Sequence, residues 1–221
     1  MAFDFSCANC TRVVCDSDHA MDGPDGCPTR AMEDLFDRVK EEYDKPDIAR
    51  FAQQASIQEY ECYLQLPEGV TPRNPRVEEV AQFAKRMGYH RLGIAFCAGL
   101  RNEAQILDDI LRRRSFEVVS VCCKAGGVPK ETIGITEEQK IKGPGEWETM
   151  CNPIAQAMLL NEAGTEFNIA VGLCVGHDSL FFKYANAPTT VLIAKDRVFG
   201  HNPAAGLYLS KSYYRKLRRR E

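Results

Sequence analysis

The sequence predicts an α/β protein with an open parallel sheet of about four strands and helices on both faces. From residue 74 onward, short apolar runs alternate with segments of helical periodicity, and this order favours right-handed crossovers between parallel strands. Three of the apolar runs end in cysteine and then glycine. We expect three parts: a cysteine-rich segment over residues 1–28, a helical segment over 29–72 and an α/β domain over 73–221.

The individual elements follow from periodicity and from turn residues. Apolar residues at helical spacing predict helices over 29–43 and 47–64, and the prolines and glycine of 66–73 indicate a connector. Asn74-Pro75 and Gly88 mark the ends of the next helix. Strands are predicted at 91–96, 116–121, 168–173 and 190–194, and helices at 100–113, 152–164 and 178–184.

Composition narrows the class of protein. The net charge of -3 over 221 residues gives no whole-protein reason to bind nucleic acid or a membrane, and the basic end, residues 211–221, is interpreted as a solvated face. No apolar run approaches the ~20 residues that span a bilayer, and the amino terminus lacks a signal core. We therefore expect a cytoplasmic protein. In that reducing compartment its ten cysteines indicate metal ligation rather than disulfides.

Four cysteines lie in the first 28 residues, where nothing else could form a core. Cys7, Cys10, Cys15 and Cys27 follow the spacing C-x2-C-x4-C-x11-C, which lets a tight turn present two sulfurs while two later sulfurs complete a tetrahedron. Four thiolates suit an iron-sulfur cluster, for which we expect the 4Fe-4S type, or a structural zinc ion. The closing Cys27-Pro28 favours the cluster.

A second group of cysteines is predicted at the carboxyl edge of the sheet. Parallel strands deliver their carboxyl ends to one edge, so at least three of these thiols are expected to share a metal or cluster site, although some could be core residues. Cys122-Cys123 is expected to supply one sulfur and to point the other elsewhere. The group comprises Cys97, Cys122, Cys123, Cys151 and Cys174.

Ionisable residues follow the same strands. His177 and Asp178 follow Cys174 within a turn and are candidate acid-base groups, with a helix cap as the alternative for each and above all for Asp178. Lys124 and the run Lys195-Asp196-Arg197 would line the same edge and attract an anionic substrate. The loop 125–150 between them is long enough to be a binding segment.

Four phrases of the sequence resemble an uncharacterised family of predicted metal-binding proteins, a domain-of-unknown-function family. They are Cys7-x-x-Cys10, the run from Cys151 to Asn161, the run from Gly172 to Phe181, and the run from Lys195 to Pro203. The resemblance extends over nearly the whole chain. It implies a metal-binding or iron-sulfur protein of the cytoplasm and brings no known reaction.

These observations predict an iron-sulfur protein with two centres. The amino-terminal cluster would transfer electrons from a donor protein, and the second would reduce a small molecule or transfer sulfur to it. One alternative is a non-enzymatic module in which structural zinc accompanies a thiol pocket that stores or senses a metal. Another is a metal-independent thiol enzyme that uses Cys174 with His177.

Overall fold

The computed structural model describes residues 5–219 and divides into two compact units, Met1–Glu61 and Cys62–Glu221. Residues 1–4 and 220–221 lie outside the described residues; they belong to the predicted amino-terminal segment and basic tail. The division after Glu61 falls before the boundary that we predicted near residue 72.

The first unit is helical, with two short 3-10 turns before its helices. Helix α1 (Pro28–Ala31) and helix α2 (Glu33–Tyr43) replace the single helix predicted over 29–43, because the backbone of Met32 departs from helical geometry with φ -132°. Helix α3 (Pro46–Glu61) ends earlier than predicted. No apolar side chain is buried among residues 5–61, so packing alone stabilises this unit weakly.

A β-hairpin opens the second unit where we predicted a connector. Strand β1 (Tyr63–Leu66) pairs with strand β2 (Gly69–Pro72) in antiparallel register, with Leu66 opposite Gly69. Two residues, Pro67 and Glu68, make the turn, since proline pre-sets the backbone for a tight turn. The prolines that indicated irregular chain thus lie in the turn and at the end of an edge strand.

The main sheet confirms the predicted fold class. It has four parallel strands in the order β4-β3-β5-β6 and is covered by helices. Its strands are β3 (Arg91–Phe96), β4 (Glu117–Cys122), β5 (Phe167–Val171) and β6 (Thr189–Ile193). Every residue of β5 is buried, as expected for a central strand of a parallel sheet.

The helices of this unit begin and end close to the predicted signals. Gly88 ends α4 (Arg76–Met87) in the left-handed conformation. The Asn152 side chain caps α6 (Pro153–Glu162) by accepting a hydrogen bond from the Ala155 amide. No helix within residues 5–219 is long and apolar enough to cross a membrane. The helices are α4 (Arg76–Met87), α5 (Arg101–Arg113), α6 (Pro153–Glu162), α7 (His177–Tyr184) and α8 (Pro203–Tyr208).

The strand order creates a topological switch point. From β3 the chain crosses to β4 on one side, then returns past β3 to β5 on the other. Connections therefore leave β3 and β5 in opposite directions, which opens a crevice at their carboxyl ends. In sheets of this kind ligands bind in that crevice, and the residues that follow β3 and β5 include Cys97 and Cys174.

Replacing Gly93 by alanine should destabilise the second unit. A Cβ atom at Gly93 would overlap Asn168 Oδ1 on β5 and lie 3.0 Å from Leu160 Cδ1. Because both neighbours are fully buried, we expect the free energy of unfolding to fall by roughly 1–3 kcal/mol, measured by urea unfolding. Gly99→Ala is the control, since its nearest atom is the mobile Lys195 Nζ at 3.4 Å; equal losses in both variants would contradict the packing.

Candidate functional site

The ends of β3, β4 and β5 bring separate parts of the chain together at one edge of the sheet. The Cys97 amide donates a hydrogen bond to the Val171 carbonyl oxygen at 3.1 Å. The Cys123 amide donates to the Phe96 carbonyl oxygen at 2.8 Å. The loops that follow these strands thus leave the sheet side by side, as the sequence predicted.

Three cysteine side chains form a line at this edge. Cys123 is 3% exposed and lies in the middle, hydrogen-bonded to Cys97 on one side and to Cys151 on the other. The Ala98 amide also donates to Cys123 Sγ at 3.4 Å. Cys97 and Cys151 are half-buried. The hydrogen-bonded line of thiols is therefore partly accessible at its two ends and buried at its centre.

The two outer thiols of the line are acidic. The pKa of Cys97 is lowered to about 4 by its hydrogen bond with Cys123, and to a smaller degree by the Gly99 amide and Lys195. The pKa of Cys151 is lowered to about 5 by Cys123, then by the charges of Lys124 and His177. Both are thiolates at neutral pH. Since the thiolate is the nucleophilic form of cysteine, both can attack an electrophile.

The central thiol, Cys123, resists ionisation. The pKa of Cys123 is raised by Cys151 first and then by Cys97, and burial adds to the effect. Ionising Cys123 would place a third negative charge between two thiolates. Because a neutral thiol has one S–H proton, Cys123 donates to only one neighbour at a time. The line therefore holds two negative charges and one proton.

Three cysteines at this edge each contact a cationic side chain. Lys195 Nζ lies 3.1 Å from Cys97 Sγ, and Lys124 Nζ lies 3.5 Å from Cys151 Sγ and 2.5 Å from the Thr149 carbonyl oxygen. The third pair joins Arg197 Nη2 to Cys174 Sγ at 3.1 Å. The sequence placed these cations at the sheet edge; their individual partners emerge only from the fold.

The structure distinguishes among the five cysteines predicted here. Cys97, Cys123 and Cys151 meet. Successive side chains of a strand point to opposite faces, so Cys122 at the end of β4 faces away from Cys123. Cys174 lies at the same edge, where its sulfur contacts Arg197. Of the adjacent pair, Cys123 is the one that joins the thiol line.

His177 and Asp178 have separate roles. His177 begins α7 and lies close enough to Cys151 for its charge to stabilise that thiolate, and its buried Nδ1 has no hydrogen-bond partner within residues 5–219. Asp178 lies in the first turn of α7 and accepts a hydrogen bond from the Ser179 amide at 2.8 Å. Such a position favours a carboxylate electrostatically, but the N-cap of α7 is Gly176, so Asp178 is not the helix cap given as its alternative.

Gln156 is a site residue that the sequence analysis missed. It is fully buried on α6, and its Nε2 donates to the carbonyl oxygens of Phe96 at 3.1 Å and Val121 at 2.7 Å. Phe96 is the last residue of β3 and Val121 the last but one of β4, so the amide holds the carboxyl ends of the two strands together. A single polar residue among the apolar positions of a predicted helix was the available signal.

The amino-terminal cysteines lie in a different environment. Cys7, Cys10 and Cys27 line one pocket of about 320 Å³, and Cys15 is exposed. The pKa of Cys27 is lowered, chiefly by a hydrogen bond from the Thr29 side chain. The pocket thus collects three of the four predicted ligands.

Neither group of cysteines forms a ready-made metal site. Within residues 5–219 there is no group of three or more His, Cys, Asp or Glu side chains arranged to hold a metal ion. At the sheet edge the thiols bond in sequence along a line, and cations contact their sulfurs. The predicted metal and cluster sites therefore stay predictions.

Comparison with known protein families gives a match over most of this chain. The chain belongs to the family described as "Protein of unknown function (DUF1847)", whose model matches residues 27–192. That range contains the whole thiol line, whereas Cys7, Cys10 and Cys15 precede it. This finding confirms the resemblance to an uncharacterised family; metal binding is not part of the description.

One relative is similar over nearly the full length. The chain is 43% identical over 211 residues to a protein of Methanocaldococcus jannaschii described as "Uncharacterized protein MJ0455", an alignment that covers 96% of this chain and 97% of the relative. This description names no activity, so the function must be argued from the site.

Lys195→Met should raise the pKa of Cys97 towards its ordinary value. The ammonium of Lys195 stabilises the thiolate by a hydrogen bond and by its charge. Each pKa unit regained should lower the thiolate population below the new pKa by about tenfold. The measurement is thiolate ultraviolet absorbance against pH, in a Cys151→Ser background so that Cys97 dominates the signal.

Lys183→Met is the matched control for this prediction. Lys183 is exposed on α7, and its removal changes the net charge equally. An equal shift of the titration in both variants would show that Lys195 acts only through overall charge, contrary to the contact with Cys97.

Proposed function

We propose that this protein is a thiol-dependent enzyme that reduces, or accepts sulfur from, a small anionic molecule at the carboxyl edge of its sheet. One observation carries the proposal: the Cys97 thiolate and the Cys123 thiol are hydrogen-bonded to each other at the topological switch point, with Lys195 against Cys97. A thiolate beside a second thiol is the arrangement required for two-electron thiol–disulfide chemistry.

The reaction can be written for a small disulfide. The Cys97 thiolate attacks one substrate sulfur, a mixed disulfide forms, and the other half leaves as a thiolate. Cys123 loses its proton to the neighbouring Cys151 thiolate and attacks the Cys97 sulfur, which releases the second half. The substrate gains two electrons, and Cys97 and Cys123 become a disulfide that an external dithiol must reduce.

The cations support an anionic substrate. Lys195, Lys124 and Arg197 stand at the edge where substrate would approach, each against a thiolate or thiol. When Cys97 enters a mixed disulfide it loses its negative charge, so Lys195 is left without its anionic partner. A negative group on the substrate would restore that pairing, and we therefore expect carboxylate-bearing or similar anionic substrates to react fastest.

The contacts of these thiols also bear on the second cluster, which the sequence predicts at the sheet edge. A cluster would need three or more sulfurs arranged around it, whereas within residues 5–219 no such group is arranged to hold a metal and the sulfurs contact one another and cations. The second cluster therefore stays a prediction, and the reaction proposed here uses only the thiols of this chain. The chemistry proposed also requires reduced thiols, which supports a cytoplasmic location.

The proposal predicts a charge-dependent reaction with disulfide probes. In a background where Cys151 and the amino-terminal cysteines are serine, the dianionic disulfide dithiobis(nitrobenzoate) should release thiolate at a rate that Cys97→Ser lowers by about two orders of magnitude or more, since a serine hydroxyl stays protonated at neutral pH. Lys195→Met and Arg197→Met should slow this probe more than the neutral dithiodipyridine. Release is followed by absorbance under anaerobic conditions.

Cys122→Ser is the matched control, because Cys122 neighbours Cys123 but faces away from it. It should react as the unmodified protein does. Unchanged kinetics in Cys97→Ser, or equal slowing of both probes in the cation variants, would contradict the assigned nucleophile or the assigned substrate charge respectively.

The pocket in the first unit favours a second function, metal binding. Cys7, Cys10 and Cys27 line it, and the fourth predicted ligand, Cys15, is exposed nearby in the chain. Because no apolar side chain is buried among residues 5–61, closing this segment around a metal would meet little resistance from packing, and metal binding commonly completes the folding of such segments. The four thiolates fit zinc, as a structural ion, or an iron-sulfur cluster, which supplies electron transfer.

Metal analysis of anaerobically purified protein tests this second function. We expect about one zinc ion, or one cluster with matching iron and acid-labile sulfide, per chain. Cys10→Ser should lose it and Cys97→Ser should retain it. Metal lost equally from both variants would instead indicate a shared or sheet-edge site, and metal-free protein would end the proposal.

A further inference from the structure

Cys123 is hydrogen-bonded to two cysteines, Cys97 and Cys151, and a different part of the fold sets each contact. In the register of the sheet Phe96 lies opposite Cys122, and the Cys123 amide bonds to the Phe96 carbonyl oxygen. Cys97 and Cys123, which follow Phe96 and Cys122, are therefore the next two residues to lie opposite each other. Adjacent strands lie about 4.8 Å apart, within the range of Cα separations that a disulfide bridges, so this pair can oxidise without rearranging the sheet.

Cys151 reaches Cys123 by a different route. The loop from 125 to 150 returns to its starting point, where the Asn152 amide donates to the Cys123 carbonyl oxygen at 2.7 Å. The ends of the loop are joined by a bridge between Pro129 and Thr149, and Met150 donates to the Val128 carbonyl oxygen at 2.8 Å. Cys151 is held against Cys123 by this closure, not by the strands.

An ion pair inside the loop stabilises the closure. Lys130 Nζ lies 2.6 Å from Glu148 Oε1, and both side chains are largely buried. Lys124 Nζ adds a link from the start of the loop to Thr149 and Cys151 at its end. These contacts within the loop thus fix the position of Cys151.

We propose that Cys123 passes the disulfide from Cys97 to Cys151, which makes Cys151 the second resolving thiol of a three-cysteine relay. The inference rests on the proposed function. The Cys151 thiolate attacks the Cys123 sulfur of the Cys97–Cys123 disulfide, a Cys123–Cys151 bond forms, and Cys97 leaves as a thiolate beside Lys195. Attack falls on Cys123 because Cys151 contacts that residue in the line.

The relay balances over a complete turnover. A substrate disulfide, the Cys123 thiol and the Cys151 thiolate yield two substrate thiolates, the Cys123–Cys151 disulfide and one proton. The proton first taken up by Cys151 is released to water before the transfer. Cys97 returns to its starting state, so it can bind another substrate while an external dithiol reduces the disulfide at the base of the loop.

Disulfide mapping after one turnover tests the relay. Protein in a Cys122→Ser background, which removes ambiguity between adjacent cysteines, is reacted anaerobically with dithiobis(nitrobenzoate), quenched with acid and digested for mass spectrometry. We expect the Cys123–Cys151 disulfide with Cys97 free for alkylation. Adding Cys151→Ser should stop the reaction at the Cys97–Cys123 disulfide, which forms more slowly because water must then take the Cys123 proton, and adding Cys123→Ser should stop it at a mixed disulfide on Cys97.

The outcomes separate the relay from the function on which it rests. If the protein with Cys151 present stops at Cys97–Cys123, the relay is overturned while the proposed function stands. If Cys97 forms no mixed disulfide when Cys123 is absent, the proposed function fails first. Cys151→Ala, with folding checked by circular dichroism, should reproduce Cys151→Ser; a Cys123–Cys151 product before any Cys97 oxidation would also overturn the relay.

Discussion

The register of β3 between β4 and β5 is the constraint on which the rest of this structure depends. It places Cys97 beside Cys123 and connects the Cys97 amide to Val171 on the opposite strand. A slip of one residue in β4 would turn Cys123 to the other face of the sheet and bring Cys122 in its place. Gln156 opposes such a slip, because its buried amide binds the carbonyl oxygens at the ends of both β3 and β4.

Once the strands are in register, electrostatics determines the state of the thiols. Two negative sulfurs in a half-buried crevice would repel each other and lose hydration, so each has a compensating group. Cys123 supplies a proton between them, and Lys195 and Lys124 supply positive charge at the ends of the line. The first unit differs because no apolar side chain is buried among its residues 5–61, so burial of apolar surface does little to organise it.

Much of the fold could be predicted because its signals are local. Asn152-Pro153 and Gly88 mark helix ends, and the apolar run from 91 to 96 is the strand that was predicted. The wrong predictions also rested on local signals, but each of these signals is compatible with more than one structure. Prolines near residue 67 suggested a connector where the chain makes a hairpin, and Met32 interrupts a helix whose apolar spacing continues through it.

The sequence by itself determined that an α/β fold would carry cysteines and cations to the edge of a parallel sheet, since strand alternation and strand-end residues are both local properties. It could not determine which of those groups meet. Cys174 and His177 lie three residues apart, yet the structure also places His177 near Cys151 and Arg197 against Cys174. Only tertiary structure decided these pairings, because strand order, register and closure of the loop after β4 set the distances between residues far apart in the chain.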